Sequence, residues 1–237
     1  SMESARILLN SKSEKTPNGL ANSSGMVGKY ISDTMFTSLW IHIPELDYAP
    51  PHNEDGVSQP HIYAPWWLHG EEKEKDGADF SGGYKLEVDP YRGGRFGPPS
   101  MKATFGIMLH GRKGLYGDKL KDHMRRYYGS LLGIRTLGGM SVNENCYLTI
   151  DSDVKDKWGI PVPKFNWQWS EEDYRRGVHM NKTLHELAKN MGATVVRDAF
   201  DESRKAGKFV ETGGETNHEI GGCRMGTAPE NSVLNQY

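Results

Sequence analysis

The 237-residue chain has little cysteine, no long apolar run and no block of one charge. Its two cysteines, Cys146 and Cys223, lie far apart and lack the CxxC or histidine spacing of a zinc site, so we interpret both as free thiols. No run of about 18 apolar residues is present, which excludes a membrane-spanning helix in this piece. The 29 basic and 31 acidic residues give a net charge of -2 without a long Lys/Arg stretch, which argues against a nucleic-acid partner.

The glycine fingerprint of a dinucleotide-binding fold is missing as well. None of the paired glycines stands in GxGxxG spacing between a strand and a helix. The N-terminus has neither the charged nor the apolar region of a secretion signal, and we expect a soluble piece. Ser1 and Met2 are typical of what remains after a tag is removed, so the natural sequence is expected to begin at or beyond Glu3.

The residues that are present favour a packed domain with many turns. A chain of this length buries about 70% of its unfolded surface, and its 28 glycines indicate many tight turns. Strand patterns are interrupted by isolated helices without a regular alternation. This predicts an α+β fold, with a mostly antiparallel sheet and flanking helices.

Apolar periodicity predicts the individual elements. The clearest helix follows Ser170, an N-cap whose partner in a capping box is Asp173, and it ends at Gly192 as a left-handed cap. Two prolines and a glycine predict an irregular segment over 151–165. Further helices are expected at 3–9 and 118–128, and strands at 35–43, 84–89, 101–110, 145–150, 166–169 and 194–197.

One dense motif near the C-terminus, TNHEIGGCRMG, has the residue types for proton chemistry beside a flat ligand. His218 is followed by Gly221 and Gly222, whose missing side chains allow a close backbone approach. A histidine with a pKa near 6.5 suits proton transfer at neutral pH. A histidine in a glycine-rich loop is more often a hydrogen-bonded structural residue, and the spacing does not decide between the two roles.

The longer segment NHEIGGCRMGTAPENSVLN resembles the C-terminal signature of the glucose-methanol-choline (GMC) oxidoreductases. Three further segments resemble that family in the same order. They are ESARILLNS with PNGLANSSGMVGKYISDT, then LTIDSDVKDKWGIPVPKFNW, then the long helix followed by GATVV. The chain is therefore identified as a member of that family, similar to its substrate-domain portion, with a match that runs with gaps from Glu3 to Asn235.

The resemblance implies a role for each part of the chain. Residues 3–34 would end a flavin-domain segment, 35–212 would form the substrate-binding domain, and 213–237 would return to the flavin domain with the active-site base His218. Gly221 and Gly222 would place their backbone near the flavin. The base would take the proton of a substrate hydroxyl while hydride passes to FAD.

The resemblance also implies that the enzyme needs partners that are not part of this sequence. FAD would be bound mostly by an N-terminal FAD-binding domain that this chain lacks, and an electron-acceptor subunit is a further possible partner. The second catalytic residue of the family is expected beyond Tyr237. We therefore expect the fragment alone to be inactive.

Within the family the sequence leans towards the branch that oxidises sugars. The strand GYKLEVD places Lys85 and Asp89 on one face, where they could hydrogen-bond the hydroxyls of a small sugar or alcohol substrate. An ordinary solvated strand face is the commoner role for such a pattern.

Two other interpretations are open. A carbohydrate-binding module would use the pairs Trp66–Trp67 and Trp167/Trp169 and would need neither flavin nor His218. An inactive truncated scaffold would expose apolar surface and self-associate. The four collinear segments favour the oxidoreductase. They leave open whether electrons pass to oxygen, a quinone or a haem subunit, and whether the compartment is cytoplasmic or periplasmic.

Overall fold

A computed structural model describes residues 2–48, 62–89, 114–127, 130–200, 214 and 218–235. The helices are α1 Met2–Asn10, α2 Glu71–Lys75, α3 Gly117–Tyr127 and α4 Glu171–Asn190, with a 3-10 turn at Pro44–Leu46. The strands are β1 Thr34–His42, β2 Ile62–Ala64, β3 Tyr84–Asp89, β4 Leu131–Gly139, β5 Tyr147–Lys155, β6 Pro161–Asn166 and β7 Thr194–Asp198. The strand expected at 101–110 lies outside the described residues.

The chain divides into two compact units. Unit 1 contains residues 1–35, 139–174 and 212–237, and unit 2 contains 36–138 and 175–211. Residues 139–174, which the sequence places in the substrate domain, group here with the two terminal segments. The assignment of units to flavin and substrate domains stays a prediction. Among the helices of the described ranges, none combines the length and apolar character needed to cross a bilayer.

Unit 2 is built on a five-stranded sheet in the order β2-β3-β4-β1-β7. The β2–β3, β3–β4 and β1–β7 pairs are antiparallel, which confirms the predicted α+β class with a mostly antiparallel sheet. One face of this sheet forms the core because alternate residues of β1 and β4 point the same way. The core cluster of buried side chains consists of Leu39, Ile41, Ile43, Leu132, Ile134, Leu184 and Ala188.

Helix α4 begins and ends as its sequence predicts. The Ser170 hydroxyl accepts the Asp173 N–H at 3.1 Å, and the Asp173 carboxylate accepts the Ser170 N–H at 2.9 Å. This reciprocal capping box satisfies donors that the first turn would otherwise leave free. At the other end Gly192 has a φ of +64°, the left-handed cap conformation.

The prediction of an irregular segment over 151–165 is wrong. Strands β5 and β6 form an antiparallel hairpin in unit 1 that includes Pro161 and Pro163. These prolines stand two residues apart, so their nitrogens face the same side of β6. On the side of an edge strand that faces away from its neighbour, no N–H is needed for pairing, and proline is tolerated there. The strand expected at 166–169 correspondingly lies earlier and ends at Asn166.

An ion pair ties the hairpin to α1. The Arg6 guanidinium lies 2.7 Å from Asp156 Oδ2 and donates to the Pro161 carbonyl at 2.9 Å. The other carboxylate oxygen of Asp156 accepts the N–H groups of Trp158 and Ile160, which closes the turn. One carboxylate thus shapes the turn and anchors the N-terminal helix.

Leu184→Ala is expected to lower the free energy of unfolding by about 2–5 kcal/mol, because it leaves a cavity where α4 packs on the sheet. Leu184 is fully buried, whereas Val178 on the same helix is 53% exposed. The matched control Val178→Ala should change stability by less than about 0.5 kcal/mol. Urea unfolding of both variants measures the difference, and equal losses would contradict this packing.

Candidate active site around His218

Backbone hydrogen bonds join the glycine-rich motif to the segment that leads into β1. Ser32 and Ile220 exchange two backbone hydrogen bonds of 2.9 Å as an antiparallel bridge. Further along, the Gly28 N–H donates to the Gly222 carbonyl at 2.7 Å. We call this ladder, formed by residues 28–34 and 218–222, the strip pair. It places the histidine of the motif beside the start of β1.

The two glycines of the motif are needed by the strip pair itself. Gly221 has a φ of +94°, and a Cβ there would collide with the Tyr30 carbonyl oxygen and lie 3.0 Å from Ile31 Cα. A Cβ on the buried Gly222 would lie 3.4 Å from Ala5 Cβ. Close packing therefore explains Gly221, whereas Gly222 is explained by its φ of +77°, a conformation that favours glycine. A role for Gly221 and Gly222 as backbone contacts to a flavin stays a prediction.

The rest of the motif folds back on itself in unit 1. The Arg224 carbonyl accepts the Val233 N–H at 2.9 Å, and the Gly226 N–H donates to the Leu234 carbonyl at 3.0 Å. A Cβ on Gly226 would lie 2.8 Å from Ser232 Cβ. The Met225-Gly226 pair of the signature thus packs closely against its Ser-Val-Leu-Asn segment, residues 232–235.

A buried carboxylate holds the histidine of the motif by its backbone. Asp33 is 4% exposed, and its Oδ1 accepts the Thr34 N–H at 2.7 Å and the His218 N–H at 3.0 Å. Its Oδ2 is buried and has no hydrogen-bond partner among the described residues. Since a buried acceptor without a donor is unfavourable, the second oxygen is suited to a donor that the described residues do not supply.

The imidazole of His218 is exposed and held at one nitrogen. Nδ1 lies 3.3 Å from the Thr34 hydroxyl oxygen, and within the described ranges Nε2 has no hydrogen-bond partner. A neutral imidazole with one nitrogen anchored and the other free can accept a proton from a group that approaches it. The geometry therefore suits a general base.

Sequence reasoning gave no role to Asp33 or Thr34, although both end the segment PNGLANSSGMVGKYISDT. The signal available in the sequence was an acid close to the apolar residues Ile31 and Met35, both of which are buried in the structure. A buried acid usually has a specific partner. That partner, His218, is 185 positions away in sequence and could not be identified from spacing.

Lys85 and Asp89 lie on β3 in unit 2. The Lys85 ammonium is 2.5 Å from Glu87 Oε1, and Arg135 Nε is 2.6 Å from Glu87 Oε2. Burial alone would raise the pKa of Glu87, but the hydrogen bonds from Lys85 and Arg135 outweigh it and hold that pKa below its usual value. Only the backbone of Asp89, which pairs with β4, belongs to the described part of the chain.

A polar chain crosses the aromatic part of unit 2. Asp76 Oδ2 lies 2.7 Å from His179 Nε2, and His179 Nδ1 lies 2.8 Å from the Tyr84 hydroxyl. That hydroxyl also meets the Thr183 hydroxyl at 2.7 Å, and burial raises the pKa of Tyr84 to about 12. The Trp66 ring packs 4.8 Å from the Tyr84 ring. This contact makes Trp66 a packing residue of the same cluster.

Comparison with known proteins identifies relatives of this chain. Residues 142–237 match the family described as GMC oxidoreductase, which confirms the resemblance drawn from the sequence. The chain is 26% identical over 233 residues to a 2-methyl-1,2-propanediol dehydrogenase of Mycolicibacterium austroafricanum, covering 98% of this chain. It is 24% identical over its whole length to the fructose dehydrogenase large subunit of Gluconobacter japonicus.

A third relative is the gluconate 2-dehydrogenase flavoprotein of Pantoea cypripedii, 23% identical over 123 residues, or 52% of this chain and 20% of that protein. The chain spans 38% of the length of each of the first two relatives. The similarity therefore concerns a part of those proteins.

Gly221→Ala is expected to destabilise the protein by roughly 1–3 kcal/mol more than Gly159→Ala, because only the first collides with backbone. Both glycines have positive φ, +94° and +81°, so the strain of a side chain in that conformation is common to both. A Cβ on Gly159 meets nothing within 4 Å. Chemical denaturation measures the difference, and similar losses would argue against the close approach in the strip pair.

Proposed function

We propose that the chain, whose residues 142–237 match the GMC oxidoreductase family, is part of a FAD-dependent enzyme that oxidises a hydroxyl group. The observation that supports this proposal is the geometry of His218, whose imidazole is exposed, held at Nδ1 and without a partner at Nε2 among the described residues. In this proposal Nε2 accepts the proton when the O–H bond of the substrate breaks. The carbinol carbon loses hydride in the same oxidation.

The described residues are compatible with a flavin at this place. A flavin, when bound, supplies the acceptor for the hydride. The chain offers an exposed base and, at Asp33 Oδ2, a buried acceptor without a partner in the described ranges. Ring N–H and ribityl O–H groups are donors of the kind that this oxygen needs. Asp33 and the backbone of the strip pair would contribute to holding the cofactor, mostly together with protein outside this chain.

The proposed substrate is a sugar, a glycoside or another small alcohol. The relatives support this class, since their printed names include a propanediol dehydrogenase, a fructose dehydrogenase subunit and a gluconate dehydrogenase flavoprotein. Lys85 is the proposed hydroxyl-binding residue of unit 2. One of its three N–H bonds faces Glu87, and its side chain is 48% exposed, so other donors are available to a substrate.

The proposed partners follow from the same relatives. An N-terminal FAD-binding domain would complete the cofactor site. A separate electron-acceptor subunit is supported by the name of one relative, which is the large subunit of its enzyme. These partners, like the whole reaction, are proposals for the natural polypeptide that contains this chain.

His218→Ala, made in the full natural polypeptide with flavin bound, is expected to lower kcat by about 10²–10⁴-fold, because the hydroxyl proton loses its acceptor. Bleaching of the flavin absorbance between roughly 350 and 500 nm by a panel of sugars and diols measures the rate of reduction. The exposed His69→Asn is the control and should reduce its flavin at the normal rate. Normal bleaching by His218→Ala would refute the assigned role, and a protein that binds no flavin would refute the oxidoreductase.

Lys85→Met is expected to raise KM for a sugar substrate several-fold with little change in kcat, the pattern of lost ground-state binding. Lys75→Met is the matched control, since Lys75 is an exposed lysine of the same unit that also pairs with a glutamate. Initial rates over a range of sugar concentrations separate KM from kcat. If the two variants have equal KM values, Lys85 is an ordinary surface lysine.

A further inference from the structure

We propose that Asp33 and Thr34 are the positioning residues of His218, with Asp33 holding its backbone and Thr34 selecting the tautomer of its imidazole. This inference rests on the proposed function, because it concerns how the base is prepared for proton transfer. Neither residue has a role in the sequence signature. The inference comes from two hydrogen-bond contacts that join the consecutive residues 33 and 34 to His218, and from a third that links Thr34 to Asp33.

The first part concerns the backbone. Asp33 Oδ1 accepts the N–H of His218 and the N–H of Thr34, so the same oxygen fixes both residues. Two residues further on, Ile220 is bonded to Ser32 in both directions. The short segment 218–220 is thus held at both ends against residues 32 and 33. A base on a glycine-rich segment needs such support, because a misplacement of about 1 Å can lower a rate about 10²-fold.

The second part concerns the imidazole. A neutral histidine carries its proton on one ring nitrogen and a lone pair on the other. If Nδ1 carries the proton and donates it to the Thr34 hydroxyl oxygen, Nε2 keeps its lone pair for the substrate. If Nδ1 instead accepts, Nε2 carries the proton and cannot act as a base. The 3.3 Å contact allows the Thr34 hydroxyl to act as donor or acceptor, and the proposal takes the first arrangement because it is the one that leaves Nε2 able to act as a base.

In this arrangement one residue holds the backbone of His218, and a different group, the imidazole, is left to accept the proton. The Asp33 carboxylate is buried and bonds the backbone, whereas the imidazole stays exposed with Nε2 free of partners in the described residues. A purely structural role for Asp33, as the acceptor in a local turn, would need only its bond to Thr34. The additional bond to a residue 185 positions away indicates that the His218 segment is what the carboxylate holds.

Thr34→Val tests the tautomer step, because valine keeps the shape and removes the hydroxyl. In the flavin-loaded natural polypeptide we expect kcat to fall roughly tenfold or more with KM changed less than about twofold. Thr34→Ser, which keeps the hydroxyl, should restore kcat to within about twofold of the parent. Thr149→Val, a change of the same kind at an exposed position of β5, is the control for the substitution itself.

A spectroscopic readout is independent of turnover. In protein with ¹⁵N-labelled histidine, the ring nitrogen shifts of His218, assigned by their loss in His218→Ala, should show the Nδ1–H tautomer when the ring is neutral. Thr34→Val should move these shifts towards the Nε2–H tautomer, and Thr34→Ser should not. Parent-like shifts and kcat in Thr34→Val would overturn the proposal for Thr34.

Asp33 is tested by a pair of variants. Both Asp33→Asn and Asp33→Ala remove the second carboxylate oxygen, but only Asn keeps an oxygen that can accept the two N–H bonds of Thr34 and His218. Asp33→Ala should therefore have a clearly lower kcat than Asp33→Asn, with a similar KM. Equal kcat values in the two variants would overturn the role of Asp33. If Asp33→Ala does not fold, the Thr34 variants still decide the proposal.

Different results would refute the proposed function and the positioning role of Asp33 and Thr34. Loss of activity in His218→Ala together with normal kcat in Thr34→Val would leave the proposed function in place and remove only the positioning role. Normal activity in His218→Ala would remove the assigned base, whatever the Thr34 and Asp33 variants do.

Discussion

The candidate site depends on the antiparallel pairing of residues 28–34 with 218–222. This ladder joins segments almost two hundred positions apart, and it needs Gly221, where a side chain would collide with the facing backbone, and Gly222, which has a positive φ. Once it has formed, residue 218 must lie beside residues 33 and 34. The location of the histidine thus follows from backbone hydrogen bonds and the steric freedom of two glycines, before any side-chain contact is considered.

The chemistry of the site follows from a contrast between burial and exposure. Asp33 keeps its carboxylate away from solvent and uses one oxygen to bond two N–H groups, while the His218 ring is left accessible. A general base needs this combination, since its frame must be rigid while its reacting nitrogen must be reachable. The second oxygen of Asp33, which has no hydrogen-bond partner within the described ranges, adds a buried acceptor beside the histidine.

Elements with local signals were predicted well from the sequence. Helix α4 has a capping box and a terminal glycine, and β3 alternates over its whole length, so both were placed within a residue or two. The hairpin β5–β6 was missed because its two prolines suggest irregular structure, although they are harmless on an edge strand. Strand β4 was missed as well, because its glycines weaken the pattern, yet it lies between β3 and β1 in the sheet.

The sequence by itself determined the family resemblance, the α+β class and the choice of His218, because these depend on residue types and spacings within short segments. Only the tertiary structure identified Asp33 and Thr34 as its neighbours and Glu87 as the partner of Lys85 and Arg135. The physical reason is the range of the contacts. A bond between residues 33 and 218 exists only after the intervening chain has folded, and no local pattern of apolar or charged residues encodes it.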